Sequence, residues 1–276
     1  MYLLRLASFP ALLLASALAS GAVAPRLGTT APYGVVSSTF TNANTAPQTA
    51  ITGDVCFTTA PVTPPVTVTG AVNTPCPPAT GLDQGVALAN LNGQVCTFLG
   101  AGAITLDSVV IGANPPGVIP PGCYTSGGAM NITATTIVTL SGPGVYIFRP
   151  GGALTTGADS TVVLAGGACA SDVFWAPIGA ASLGANAALS PTPTFVGNII
   201  ANAGINIGHF ANLTGRALSF GGTVTTDAVT ITVPTCAAFL PAAGGAGVPA
   251  LSPLAILLQV LLVALAGFAM LRFRRH

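Results

Sequence analysis

Between residues 122 and 233 the chain repeats itself in threes, with short Thr, Val, Ile and Leu runs separated by Gly, Ala, Asn and Pro. Asn131-Ile132-Thr133, Leu154-Thr155-Thr156, Ser182-Leu183-Gly184, Ile205-Asn206-Ile207 and Val224-Thr225-Thr226 form one set. A second set comprises 137–140, 161–164, the stretch around Phe195, Asn212-Leu213-Thr214 and 229–233. Val145-Tyr146-Ile147-Phe148, Val173-Phe174-Trp175, Asn198-Ile199-Ile200 and Arg216-Ala217-Leu218 form the third. Such β-branched runs bounded by turn residues are strands. Three strands per repeating unit define a β-solenoid, whereas a Greek-key sandwich would not return similar residues at matching points. Inward Val, Ile, Leu and Phe stack into a core, and outward residues line up as ladders with rungs about 4.7–4.9 Å apart.

The outside of this coil is nearly uncharged. The sequence has no Lys and no Glu, and charged residues make up 5% of it, with a mean hydropathy of +0.77. Only Arg26, Arg149 and Arg216 lie between residues 25 and 250, too few to neutralise a phosphate backbone, so nucleic acid is excluded as a partner. An apolar fraction of 51% argues against disorder. The surface must consist of Thr, Ser, Asn, Gly and Ala.

Other segments read differently. Leu88, Leu91, Val95 and Phe98 make one stripe of a helix spanning about residues 83–99, suited to lie along a solenoid face. Residues 25–75 are strand-like with Pro-rich turns, and 112–122 reads as a rigid connector. Cys56, Cys76, Cys96, Cys123, Cys169 and Cys236 are an even count, expected to form disulfides in an exported body. Their pairing is left open.

Both ends read as addresses. Residues 1–24 carry Arg5, an apolar run and small residues, the pattern of a secretory signal peptide. Ala17-Leu18-Ala19 is one cleavage candidate, and Ala22-Val23-Ala24, followed by Pro25, is the other. Residues 237–253 are a linker ending in Val248-Pro249-Ala250-Leu251-Ser252-Pro253. Residues 254–271 are apolar enough for a transmembrane helix, and 272–276 form a basic tail expected to stay cytoplasmic. This tail resembles bacterial sorting signals of the IPTL and PEP type, departing from Ile-Pro-Thr-Leu at two positions. That resemblance implies an exosortase-like sorting peptidase and the membrane as partners, and a cell-envelope or cell-surface location for the body at 25–236.

The body also carries a family resemblance. Leu27-Gly28-Thr29, Tyr33-Gly34-Val35-Val36 and Ile51-Thr52-Gly53-Asp54 resemble the start of the secreted ice-binding (antifreeze) family. Pro121-Gly122-Cys123-Tyr124, Val145-Tyr146-Ile147-Phe148, Leu154-Thr155-Thr156, Asp172-Val173-Phe174-Trp175, Gly197-Asn198-Ile199 and Gly215-Arg216-Ala217-Leu218 continue the match in order. The resemblance implies an all-β-dominated, right-handed, three-faced discontinuous β-solenoid whose N-terminal strands join the stack beside the C-terminal coils. It implies ice as the partner.

A flat face of short hydroxyl and amide groups, with methyls between them, can hold an ordered water layer without strong ionic hydration. The outward candidates on the first strand set are Asn131, Thr155, Ser182, Asn206 and Thr225. Those on the second are Thr139, Thr161, Thr194, Asn212, Thr214, Thr230 and Thr232, interrupted by Ile137, Val163 and Val196. No catalytic, cofactor or metal site is expected: the six Asp are scattered through turns, and Asp54 and Asp227 read as turn or cap residues. His209, beside Phe210, reads as an exposed loop residue. The competing expectation is a cell-surface or matrix adhesin that uses the same solenoid to bind polysaccharide or a neighbouring cell.

Overall fold

The three runs of each unit lie on three faces of a coil, and equivalent runs of successive units pair in parallel. The computed structural model describes residues 21–43, 47–61, 67–188 and 194–236. One face stacks Thr97–Gly100, Gly122–Ser126, Tyr146–Pro150, Val173–Trp175 and Phe195–Ile200. Next come the middle of Asn212–Thr226, the first half of Tyr33–Asn42, then Asp54–Phe57 and Val72–Asn73; the two long strands continue onto the neighbouring faces. The N-terminal strands therefore join the stack beside the last C-terminal coil, as the family resemblance implies.

This order makes the fold discontinuous. The chain leaves the stack at Val72–Asn73 and re-enters it at the far end, at Thr97–Gly100. Eight strand spacings separate the two, about 38 Å. An α-helix, α1 (Pro78–Gly93), makes most of the crossing, covering about 24 Å. Pro78 stands at its first turn, where a missing N–H costs nothing. Thr80, Gln84, Ala87 and Leu91 form its buried stripe. Ala87 and Leu91 pack with Val36, Ile147, Phe174, Ile200 and Leu218, apolar residues of the strands beneath.

α1 begins and ends earlier than the 83–99 stripe predicts. Val95 is 92% exposed and Phe98 lies in the strand Thr97–Gly100, also exposed. Gln94 is already extended, and its N–H donates to the Leu91 carbonyl, closing the helix. Disulfides staple both ends of the crossing. Cys76, just before α1, joins Cys56, and Cys96, just after it, joins Cys123; Cys169 joins Cys236. The stretch 112–122 is not simply a connector, since Val118–Ile119 adds a strand beside Ile137–Ser141.

Inside the coil, aromatic side chains stack through successive layers. Tyr124, Phe148, Trp175 and Phe195 have neighbouring ring centroids 5.7, 4.1 and 4.9 Å apart. The indole N–H of the fully buried Trp175 donates to the Val196 carbonyl at 2.9 Å. Leu154, Met130, Ala181, Ile205 and Val224 continue the core toward the second face. The residues proposed to span a membrane, 254–271, lie outside the described residues, among which no helix is long and apolar enough to cross one.

Candidate ice-contact face

The second face is made by the first strand set, Met130–Ile132, Leu154–Thr156, Ala181–Leu183 and Ile205–Ile207. In three of these strands both flanking residues are buried in the core and the middle residue points out, as the pleat requires; in Leu154–Thr156, Leu154 is buried, Thr155 exposed and Thr156 half-buried. Register brings Asn131, Thr155, Ser182, Asn206 and Thr225 into one column. Thr105 extends it at one end and Thr41 at the other. Seven rungs span about 29 Å. All seven side chains reach the surface. Within the column, the Thr155 hydroxyl donates to Asn131 Oδ1 at 2.6 Å, and Asn206 Nδ2 approaches Ser182 Oγ at 3.5 Å.

Thr105 and Thr41 escape a reading by repeat alone, because Ile104–Thr105 is only two residues long and Tyr33–Asn42 lies outside the repeating region. The alternation Thr39-Phe40-Thr41, matching Thr223-Val224-Thr225, is the signal that finds Thr41.

A parallel column lies two residues earlier: Ala103, Ala129, Ala153, Ala180, Gly204, Thr223 and Thr39. Thr39 and Thr223 share a hydrogen bond of 2.7 Å. Neither column contains a charge, and the small side chains between hydroxyl and amide groups keep the face flat. Beyond it the chain turns a corner in the left-handed region at Thr135, Asp159, Phe210 and Ala228, at similar points of several coils.

The third face is less regular. Thr139 pairs with Val163 and Thr161 with Ile137, and both apolar partners are exposed. Thr194 and Asn212 are buried and bond to each other: the Asn212 N–H donates to Thr194 Oγ1 at 2.8 Å, and that hydroxyl to the Asn212 carbonyl at 3.2 Å. Asn212 Oδ1 also accepts the Thr230 N–H. Thr214, Thr232 and Thr52 make a short ladder. The structure thus collects the first-set candidates in one plane and distributes the second set over a broken one.

The few charges of the body serve as fasteners. Asp54 accepts the Ala71 N–H, Asp107 that of Thr133 and Asp159 that of Ala187, at 2.7, 2.8 and 2.7 Å. Asp83 accepts both the N–H and the hydroxyl of Thr29, which together hold its carboxyl below the usual carboxylate range. Arg216 is buried, donating to Asn198 Oδ1 at 2.8 Å and the Ala31 carbonyl at 2.9 Å. Arg149 donates to the Gln94 carbonyl. His209 is half-buried rather than fully exposed: it pairs with Asp227 at 3.1 Å and lies against the Phe210 ring at a tilt of 39°. Among the described residues, no three His, Cys, Asp or Glu side chains converge as a metal would require.

A three-faced parallel coil with a returning helix and one uncharged polar ladder defines a class of rigid β-solenoids built around a repetitive surface. The ice-binding-like family model matches residues 28–232, and the chain belongs to that family. An ice-binding protein from Flavobacterium frigoris is 32% identical over 143 residues, 51% of this chain and 49% of that protein. Ice-binding protein 1 of Shewanella frigidimarina is 36% identical over 110 residues, 38% of this chain but only 12% of its own length. The chain thus spans half or less of the length of these two relatives. An ice-binding protein from Nostoc sp. is 29% identical over 211 residues, covering 73% of this chain and 71% of its own. The crystal structure of an ice-binding protein from an Antarctic biological consortium superposes with a TM-score of 0.64 at 26% identity, covering 78% of this chain and 93% of that one.

Proposed function

We propose that this protein adsorbs to ice crystal surfaces and restrains their growth and recrystallisation. The observation that carries the reading is the single column Thr41, Thr225, Asn206, Ser182, Thr155, Asn131 and Thr105, flanked by its column of small residues. Each rung contributes a weak contact, and a rigid scaffold presents all of them without an ordering cost at binding. A charged side chain would orient water around itself and break the layer; this face has none. The names of the relatives and the structural neighbour point the same way.

Contact is assigned to this face rather than the third, where Ile137 and Val163 interrupt the surface and Thr194 and Asn212 are consumed by internal hydrogen bonds. The reading is one of binding, with no catalytic step. An export signal lies within residues 1–24, and residues 237–276 act as a linker, sorting motif, membrane span and basic tail. The sorting peptidase and the membrane are partners of that tail, and the body works outside the cell. Ice recrystallisation in frozen sucrose tests the activity: the purified body keeps crystals small, and crystals that coarsen as in buffer alone contradict the reading.

A further inference from the structure

The two sequence sites at which a leader could be cut differ in what they leave behind. A cut after Ala24 removes residues 20–24 and starts the chain at Pro25; a cut after Ala19 keeps them. In the folded body residues 22–24 of the stretch that differs, and the neighbouring Pro25, are part of the packing. Ala22, Ala24 and Leu27 lie against the second core cluster, which contains Val36, Ala87 and Leu91, and Pro25 is buried. The backbone of Val23 is held from both sides by one side chain: its N–H donates to Gln94 Oε1 at 2.8 Å, and its carbonyl accepts from Gln94 Nε2 at 2.7 Å.

Gln94 is also the residue at which α1 ends. Its own N–H donates to the Leu91 carbonyl, and its carbonyl accepts from Arg149 at 2.9 Å. The arm at 21–27 therefore joins the end of the helix, the neighbouring coil and the N-terminal strands. A cut after Ala24 would discard the Val23 pairing and uncover apolar surface under α1.

Resting on the reading of the N-terminus as an export leader, we infer that a leader peptidase cuts between Ala19 and Ser20 and that residues 21–27 remain as a structural arm. The small side chains of Ala17 and Ala19 meet the requirement at such a cut. The alternative site places Pro25, which lacks an N–H and has a fixed φ, immediately beyond the scissile bond. The step is a hydrolysis. Water adds its oxygen to the Ala19 carbonyl carbon, the C–N bond to Ser20 breaks, and the Ser20 nitrogen departs with a proton as the new α-amino group. The leader keeps a carboxylate.

The test is the N-terminus of the protein recovered after expression of the full chain in an export-competent bacterium, read by Edman degradation and intact mass. A start at Ser20 supports the inference, and a start at Pro25 overturns it while leaving the leader reading intact. A chain still beginning at Met1 overturns the leader reading itself. Ala19→Gln is expected to accumulate uncut precursor and Ala24→Gln to be cut normally; the reverse contradicts the assignment. A body starting at Pro25 should melt about 4 °C below one starting at Ser20, and equal melting contradicts the structural role of the arm.

Discussion

Single residues show how little tolerance a stacked coil has. Gly215 and Gly197 are register partners where the third face bends into the helix-covered one, and a Cβ on Gly215 would fall inside the van der Waals shell of the Gly197 carbonyl oxygen. Gly215→Ala must push the layers apart and is expected to cost on the order of 3 kcal/mol in a denaturant melt. Asp83 gives a second residue-scale expectation. Its carboxyl is held below the ordinary range first by the Thr29 N–H and then by the Thr29 hydroxyl. A group whose folded form binds its proton more weakly stabilises the fold above its ordinary titration range, near pH 4, and loses that contribution as pH falls through the lowered value. The melting temperature of the native protein should therefore fall more steeply below about pH 4 than that of Asp83→Asn, and parallel curves would contradict the staple.

At the scale of elements, repeated strands were legible and the helix boundaries were not. Strand runs announce themselves locally, because β-branched residues alternate in and out and Gly or Asn ends each run. The helical stripe misled at its end: Val95 and Phe98 continue the apolar spacing of Leu88 and Leu91, yet Gly93 and the Cys96–Cys123 disulfide turn the chain into the stack. Pro77-Pro78 was the better start signal, and Ala87, too small to stand out in a stripe, is fully buried. Leu91→Ala should cost about 3 kcal/mol, while Val95→Ser should leave stability within experimental error. Replacing both Cys96 and Cys123 with Ser removes a loop closure of 27 residues at the far end of the helix and should cost about 3 kcal/mol. Equal melts of the oxidised and doubly substituted proteins would show that the helix holds its end without the staple.

The whole molecule joins pieces distant in the chain into one surface. Thr41 lies beside Thr225 only because the N-terminal strands enter the stack next to the last coil. The middle five rungs were readable from repetition, since each occupies the same place in its unit. The second-set candidates had the same composition, but their neighbours decide exposure: Asn212 and Thr194 satisfy each other's polar atoms, and Ile137 and Val163 face Thr161 and Thr139. Composition could not separate these faces because both are rich in Thr; register does. The same scale accounts for the uncharged surface. The body holds three Arg against six Asp, and the structure turns Arg149 and Arg216 toward backbone carbonyls and uses Asp54, Asp83, Asp107 and Asp159 as hydrogen-bond staples. What remains exposed on the seven-rung face is uniform and neutral. The most direct test places one bulky group at its centre and one on the other Thr-bearing face, then measures recrystallisation in frozen sucrose with both variants confirmed folded by their melts. Thr155→Tyr is expected to lose about tenfold in effective concentration, as removal of about 1.4 kcal/mol of adsorption would give, while Thr214→Tyr keeps native activity. Full activity in Thr155→Tyr, or its loss in Thr214→Tyr alone, would contradict the assignment of ice contact to this face.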